Sequence, residues 1–225
     1  MSHPHHDIFE NRKQFQIERL ILFSDAVFAI AITLLAIEIK VPEIHTEGGL
    51  SSMNLIVQDE LLKKIPDFFG LLLSFAVIGQ FWVGHHRLFG YVTNYDSGLL
   101  WLNLHMLFWI ILVPFSSSLN SRYGGSDSVW MWYSFNMFMI ALSLALIWRY
   151  IGIPRKKLSQ LADDPRLRRM ALTRNLTIAF IFLLGLILCL PHISPLSWTA
   201  RFIYVLIFPA MTIVNRMYRE KNNPA

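Results

Sequence analysis

From Leu20 to Ile37 the chain is apolar except for Ser24, Asp25 and Thr33. A run of about 20 such residues crosses the hydrocarbon core of a bilayer as a helix rising about 1.5 Å per residue. The whole stretch, R-L-I-L-F-S-D-A-V-F-A-I-A-I-T-L-L-A-I-E-I-K, occupies residues 19–40, and Pro42 ends it. An ionised aspartate inside such a helix costs up to about 3 kcal/mol unless it meets a partner or a polar cavity. Asp25 is therefore either a polar anchor between helices or part of a pathway for ions.

The bulk composition agrees with a membrane protein. Of 225 residues, 54% are hydrophobic and only 16% charged, against about a quarter charged in soluble domains. Mean hydropathy is +0.44. The net charge of +5 sits in loops between apolar runs, which membrane topology explains better than nucleic-acid binding. The single cysteine, Cys189, excludes an intrachain disulfide. Residues 1–18 are polar and lack the apolar core of a signal peptide, so they are expected to form a cytoplasmic tail that becomes helical near Glu18. The histidines at 3, 5 and 6 are read as incidental, and no metal or cofactor is expected.

Taken in order, the chain predicts an all-α polytopic membrane protein of six spans. The first covers 19–40. A loop centred on Gly48-Gly49 follows, and 54–64 has the spacing of a short interfacial helix. The second span runs from Pro66 to His86, with Gly70, Ser74 and Gly79 offering close approach to a neighbour. The third covers 98–119, carries Asn103 and His105 early, and is expected to kink at Pro114. The fourth covers 129–150, with aromatic residues at both ends; the fifth covers 174–191; the sixth covers 196–215, with Pro209 inside. The resulting partition is a tail at 1–18, a transmembrane domain at 19–216 and a second tail at 217–225.

Six spans place both termini on one side. That side carries fifteen of the twenty Lys and Arg residues, so the positive-inside rule makes it cytoplasmic. On the first helix Asp25 then lies about 9 Å deeper than Arg19 and Ile30 about 16 Å deeper. At 100° per residue Ile30, Thr33, Leu34 and Ile37 share one face, while Asp25 sits about 140° round from Ile30 with Ala29, Ile32 and Ala36. That small-residue face suits burial between helices. Candidate partners for Asp25 at matching depth are His85, His86 and Arg87 on span two, and Asn103 and His105 on span three.

The segment 19–35, with Arg19, Phe23, Ser24 and Asp25 in the pattern R-x-x-x-F-S-D, resembles the signature of the transmembrane protein 175 potassium-channel family. W-V-G-H-H-R-L-F at 82–89 is similar to the second-span ending of its prokaryotic members. The animal members carry two six-span repeats and this chain one, so the resemblance implies a prokaryotic plasma-membrane homotetramer. It further implies a pore lined by the first helix, with Ile30 as a hydrophobic constriction followed by Leu34 and Ile37. Thr33 would form a hydroxyl layer, and the motif residues would tie the helix to its neighbours. The chain contains no T-V-G-Y-G loop, so rings of isoleucine and leucine would gate by dewetting. The implied activity is passive conduction of monovalent cations with preference for potassium.

Two other classes compete. A proton-coupled secondary transporter would use Asp25 with His85, His86 and His105 as a relay, but no broken helices or inverted repeats are evident. A membrane enzyme with a histidine metal site has too few ligands and no H-E-x-x-H spacing.

Overall fold

The computed structural model describes residues 4–42, 50–191, 193, 199–200 and 202–220, and all regular structure among them is helical. The helices are α1 (Pro4–Ile37), α2 (Leu50–Lys63), α3 (Ile65–Phe89), α4 (Ser97–Ile111), α5 (Val113–Tyr123), α6 (Asp127–Ile151), α7 (Pro165–Cys189) and α8 (Ile207–Glu220). Short 3-10 turns cover Pro154–Lys156, Gln160–Asp163 and Ile203–Leu206. Among the described residues four helices are long and apolar enough to cross a membrane: Arg12–Ile37, Ser97–Tyr123, Asp127–Ile151 and Pro165–Cys189. Together with α3 and the C-terminal helix they occupy the six expected segments.

Three boundaries differ from the sequence reading. The first helix begins at Pro4 rather than near Glu18: Glu10, Arg12, Lys13, Gln14, Gln16 and Glu18 are good helix formers, and no further proline or glycine interrupts residues 5–18. The fifth span begins at Pro165 rather than 174. Asp164 caps it by accepting the Arg166 and Leu167 N–H groups, and Pro165 suits the first turn. The sixth span is a 3-10 turn followed by α8 rather than one regular helix. Pro209 supplies no N–H to the Val205 carbonyl and crowds it, which loosens the preceding turn. The expected turn at Gly48-Gly49 lies outside the described residues, and the short helix beyond it is α2.

The kink at Pro114 is present, as the junction between α4 and α5 at Leu112. Buried Ser116 repairs this junction. Its hydroxyl donates to the Leu112 carbonyl and accepts from Trp132 Nε1 at 3.0 Å and Asn136 Nδ2 at 2.8 Å. The broken span is thereby stitched to α6.

Helix α6 is the centre of the packing, against α3, α4, α5 and α7. Its buried face includes Met137, Ile140, Leu144, Ile147 and Ile151. On α3, a Cβ at Gly70 or Gly79 would meet nothing within 4 Å. Close approach occurs instead at Gly84, where a Cβ would lie 3.0 Å from Leu144 Cδ2, and at buried Ser74, hydrogen-bonded to Ser117 at 2.7 Å. Glycine spacing shows where a neighbour fits, not where one arrives.

On the side of the 90–96 and 152–164 loops, the two connections clasp each other. Val92 bridges Ser159, the Thr93 and Asn94 N–H groups donate to the Leu158 carbonyl, and the Gln160 N–H donates to the Tyr91 carbonyl. Asp96 completes the clasp. It caps α4 through the Leu99 N–H at 2.8 Å and accepts from Tyr150 Oη at 2.8 Å and Lys156 Nζ at 3.0 Å. Gly98 leaves the space for this, since a Cβ there would sit 1.9 Å from Tyr150 Oη. Burial alone would push the Asp96 carboxyl up, but the bonds from Leu99, Lys156 and Tyr150 outweigh it and hold the group below its ordinary value. A depressed folded pKa contributes stability above the ordinary aspartate range, lost as pH falls through the folded value. Asp96→Ala is expected to cost about 1–2 kcal/mol near neutral pH. Thermal unfolding in detergent should show the gap from wild type closing as the pH becomes acid.

Candidate functional site

The fold decides which face of α1 meets the rest of the protomer. Ile17, Leu20, Ser24, Phe28, Ala31 and Leu35 are buried, at spacings of three or four residues. They pack α1 against α3, α4 and α5. Ile30, Thr33, Leu34 and Ile37 point away from that face, with Ile30 57% exposed and Ile37 72% exposed. Phe23 and Arg19 lie on the same outward face, and the Arg19 guanidinium stands over the Phe15 ring at 5.9 Å. Ala29 and Ala36 are exposed, so the inward stripe runs through Ser24 and Phe28 rather than through the small residues beside Asp25.

Ser24 is the buried polar centre. Its hydroxyl donates to the Leu20 carbonyl and accepts from Asn103 Nδ2, both at 2.8 Å. Asn103 Oδ1 pairs with His85 Nε2 at 2.8 Å. An amide oxygen only accepts, so the His85 proton is on Nε2. His85 Nδ1 is buried without a hydrogen-bond partner, in a ring flanked by Phe28 at 5.4 Å and Phe89 at 4.4 Å. One chain of three hydrogen bonds thus joins α1, α3 and α4, and it ends on a backbone carbonyl.

Asp25 stands outside this chain. It is half-buried, and its Oδ1 accepts from Trp82 Nε1 at 2.9 Å. Trp82 stacks on His86 at 5.4 Å between centroids. The expected partnership of Asp25 with histidine or asparagine is therefore replaced: His85 and Asn103 serve Ser24, and the carboxylate takes an indole. Indole nitrogen only donates, and its ring reaches further than imidazole from the same helix. Trp82 was visible inside W-V-G-H-H-R, but nothing in its spacing set it above the histidines as a partner. His105 is occupied separately, with Nδ1 on Ser143 Oγ at 2.9 Å and Nε2 accepting from Trp109 Nε1 at 3.2 Å.

Thr33 donates to the Ile30 carbonyl at 2.9 Å. With its proton committed to its own helix, the exposed oxygen presents lone pairs outward. Beyond Ile37, Glu38 accepts from Ser118 Oγ at 2.6 Å and faces Arg122 at 3.9 Å, which ties the end of α1 to α5.

A helix packed through an apolar stripe centred on Ser24, with an exposed row opposite, in a bundle of apolar helices, defines a multi-pass membrane protein. Residues 19–114 match the family described as Endosomal/lysosomal potassium channel TMEM175. A potassium channel of Streptomyces collinus is 36% identical over 137 residues, 59% of this chain and 63% of that protein, so the match spans just under two thirds of the relative's length. A potassium channel of Chamaesiphon minutus is 35% identical over 163 residues, 68% of this chain and 75% of that protein. The Gallus gallus endosomal/lysosomal proton channel TMEM175 is 31% identical over 107 residues, 48% of this chain and 20% of that protein. Among solved structures, a lysosomal potassium-selective channel TMEM175 homolog from Chamaesiphon minutus superposes with a TM-score of 0.68 at 26% identity, over 89% of this chain and 98% of that one. A variant of the potassium channel MtTMEM175 shares the fold, with a TM-score of 0.65 at 22% identity over 90% and 93% of the two chains. The chain belongs to the TMEM175 family.

Proposed function

We propose that this protein is a potassium-preferring cation channel in which four copies of α1 surround a central pore, with both termini cytoplasmic in a prokaryotic plasma membrane. The observation that carries the reading is the division of α1 into two faces. Ser24 and Phe28 fix one to the protomer, and the other offers Ile30, Thr33, Leu34 and Ile37 to whatever lies outside. Around a symmetry axis that outer row becomes rings of isoleucine and leucine that exclude water and gate by dewetting. The Thr33 hydroxyls become a layer of oxygen lone pairs able to replace water around a monovalent cation. The curated relatives that match over most of their length are named potassium channels, which favours potassium over protons as the main current.

A proton-coupled transporter fits less well. A relay needs a group that binds and releases a proton along the path. The buried chain from His85 ends on the Leu20 backbone carbonyl, and Asp25 lies outside it, held by an indole rather than by a histidine. Purified protein in planar bilayers should give discrete single-channel steps under a potassium gradient; macroscopic flux without steps would favour a transporter. Thr33→Ala is expected to reduce potassium-over-sodium preference several-fold, read as a reversal potential in mixed salts shifted toward that of an unselective pore. An unchanged reversal potential removes Thr33 from the selectivity layer.

A further inference from the structure

Helix α1 is bonded to the protomer at two heights. At the first, Ser24 accepts from Asn103 and Asp25 accepts from Trp82. At the second, Glu38, in the turn that closes the helix, accepts from Ser118 Oγ of α5 at 2.6 Å. The two heights lie about 20 Å apart along the helix. Among the described residues no other side-chain hydrogen bond joins α1 to a neighbouring helix between them, since the Thr33 hydroxyl is spent on the Ile30 carbonyl. Ile30, Leu34 and Ile37 fall within this stretch, which packs on the bundle through buried Phe28, Ala31 and Leu35.

That packing gives out near Glu38. A cleft of about 340 Å³ opens between the end of α1, the start of α3 and the end of α5, with Leu35, Glu38, Gly70, Leu71, Ser118 and Arg122 among its walls. A Cβ on Gly70 would meet nothing within 4 Å. One helical turn is about 5.4 Å high and about 10 Å across, so the cleft leaves the last turn of α1 space to shift by several ångström. With so little packing around it, the position of that turn depends on the Glu38 bond. A hydroxyl on a carboxylate oxygen at this distance is a short, charge-assisted bond. Arg122 stands 3.9 Å from the same oxygen, but its side chain is 49% exposed and that of Glu38 40%, so the ion pair adds little.

We propose that Glu38 is a positioning residue of the gate: its bond to Ser118 holds the last turn of α1 back against α5 and so sets how far Leu34 and Ile37 stand from the pore axis. The inference rests on α1 being the pore helix. In that arrangement the Ile30 row faces the axis, and α5, which packs on the other side of α1, lies behind it. A turn released from α5 lets the rings of leucine and isoleucine close on one another, because apolar surfaces gain by leaving water.

The test is single-channel recording of the full-length protein in planar bilayers, with open probability as the readout. Glu38→Ala should lower it about five-fold, the worth of one net hydrogen bond, with single-channel conductance unaltered. Ser118→Ala should do the same, and the pair should lose no more than either alone, because both remove one bond. Glu38→Gln should recover most of the loss, since its amide oxygen still accepts from Ser118. Both residues are at least partly exposed, so the variants fold, and a thermal melt checks them. Open probability unchanged in Glu38→Ala and Ser118→Ala overturns the proposal. So does an equal fall in Glu38→Gln, which would assign the effect to charge at the pore mouth, or a fall in the pair that sums the two singles. Ile30→Asn, recorded beside them, separates the two readings. No rise in its current counts against the pore helix itself, whereas a rise with unchanged Glu38 and Ser118 variants removes the positioning role alone.

Discussion

Replacing Ile30 with asparagine is expected to raise the potassium current through reconstituted protein on the order of ten-fold. The side chain is 57% exposed in the protomer and makes no hydrogen bond, so the variant should fold as wild type does. Its effect arises only where symmetry brings copies together. A ring of isoleucines forces a cation to shed water with nothing to replace it, whereas a ring of amides supplies oxygens at the same radius. Lowering that barrier by about 1.4 kcal/mol multiplies the rate of passage by about ten. Bilayer recording of the variant beside wild type reads this directly. A current that does not rise removes Ile30 from the constriction. Leu34→Asn, a turn deeper on the same face, then locates the barrier if it lies there.

The second large effect belongs to a residue with no charge. Asn103→Ala removes both hydrogen bonds through which α4 joins α1 and α3, leaving the Ser24 hydroxyl without its donor and the His85 Nε2–H without its acceptor. Each buried group left unsatisfied costs about 1–3 kcal/mol, although partners found in the unfolded state within a membrane lower such values. A loss of about 2–3 kcal/mol is expected, which lowers the thermal midpoint in detergent by about 5–10 °C. Asp25→Asn should cost less, because an amide oxygen still accepts from Trp82 and the site is only half-buried. The reverse order of these two midpoints would return the main anchoring role to the carboxylate.

That contrast marks the limit of what could be read before the fold was known. The outward orientation of the Ile30 row comes from the family resemblance, whereas the apolar spans, the kink at Pro114 and the shared face of Ile30, Thr33, Leu34 and Ile37 follow from periodicity and from proline chemistry. The choice of inward face on α1 does not. Lipid is as apolar as a protein interior, so Ala29 against a neighbour and Ala29 against solvent read alike in the sequence. Only the polar residues distinguish the two, and there the conspicuous aspartate drew attention from the serine beside it. The family signature identified Ser24 and Asp25 together as anchors. Their separate partners, Asn103 and Trp82, depend on the relative rotation of three helices, which no local pattern encodes. Gly84 teaches the same lesson from the other direction: it accommodates Leu144 closely, while the more regularly spaced Gly70 and Gly79 face open space.

The clasp between the 90–96 and 152–164 loops has a mechanical consequence. By bonding Tyr91 to Asp96 against Tyr150 and Leu158 to Gln160, it removes relative freedom among the near ends of α3, α4, α6 and α7. Those four helices behave as a stator. Helix α1 lies outside the clasp, and among the described residues side chains join it to that frame through Ser24 to Asn103, Asp25 to Trp82 and the apolar stripe between them, and to α5 through Glu38 and Ser118. In the proposed pore, a change of radius is therefore cheapest as a tilt or roll of α1 on a fixed mount, with Ser24 near the fulcrum and Ile30 and Ile37 at increasing distance along the lever.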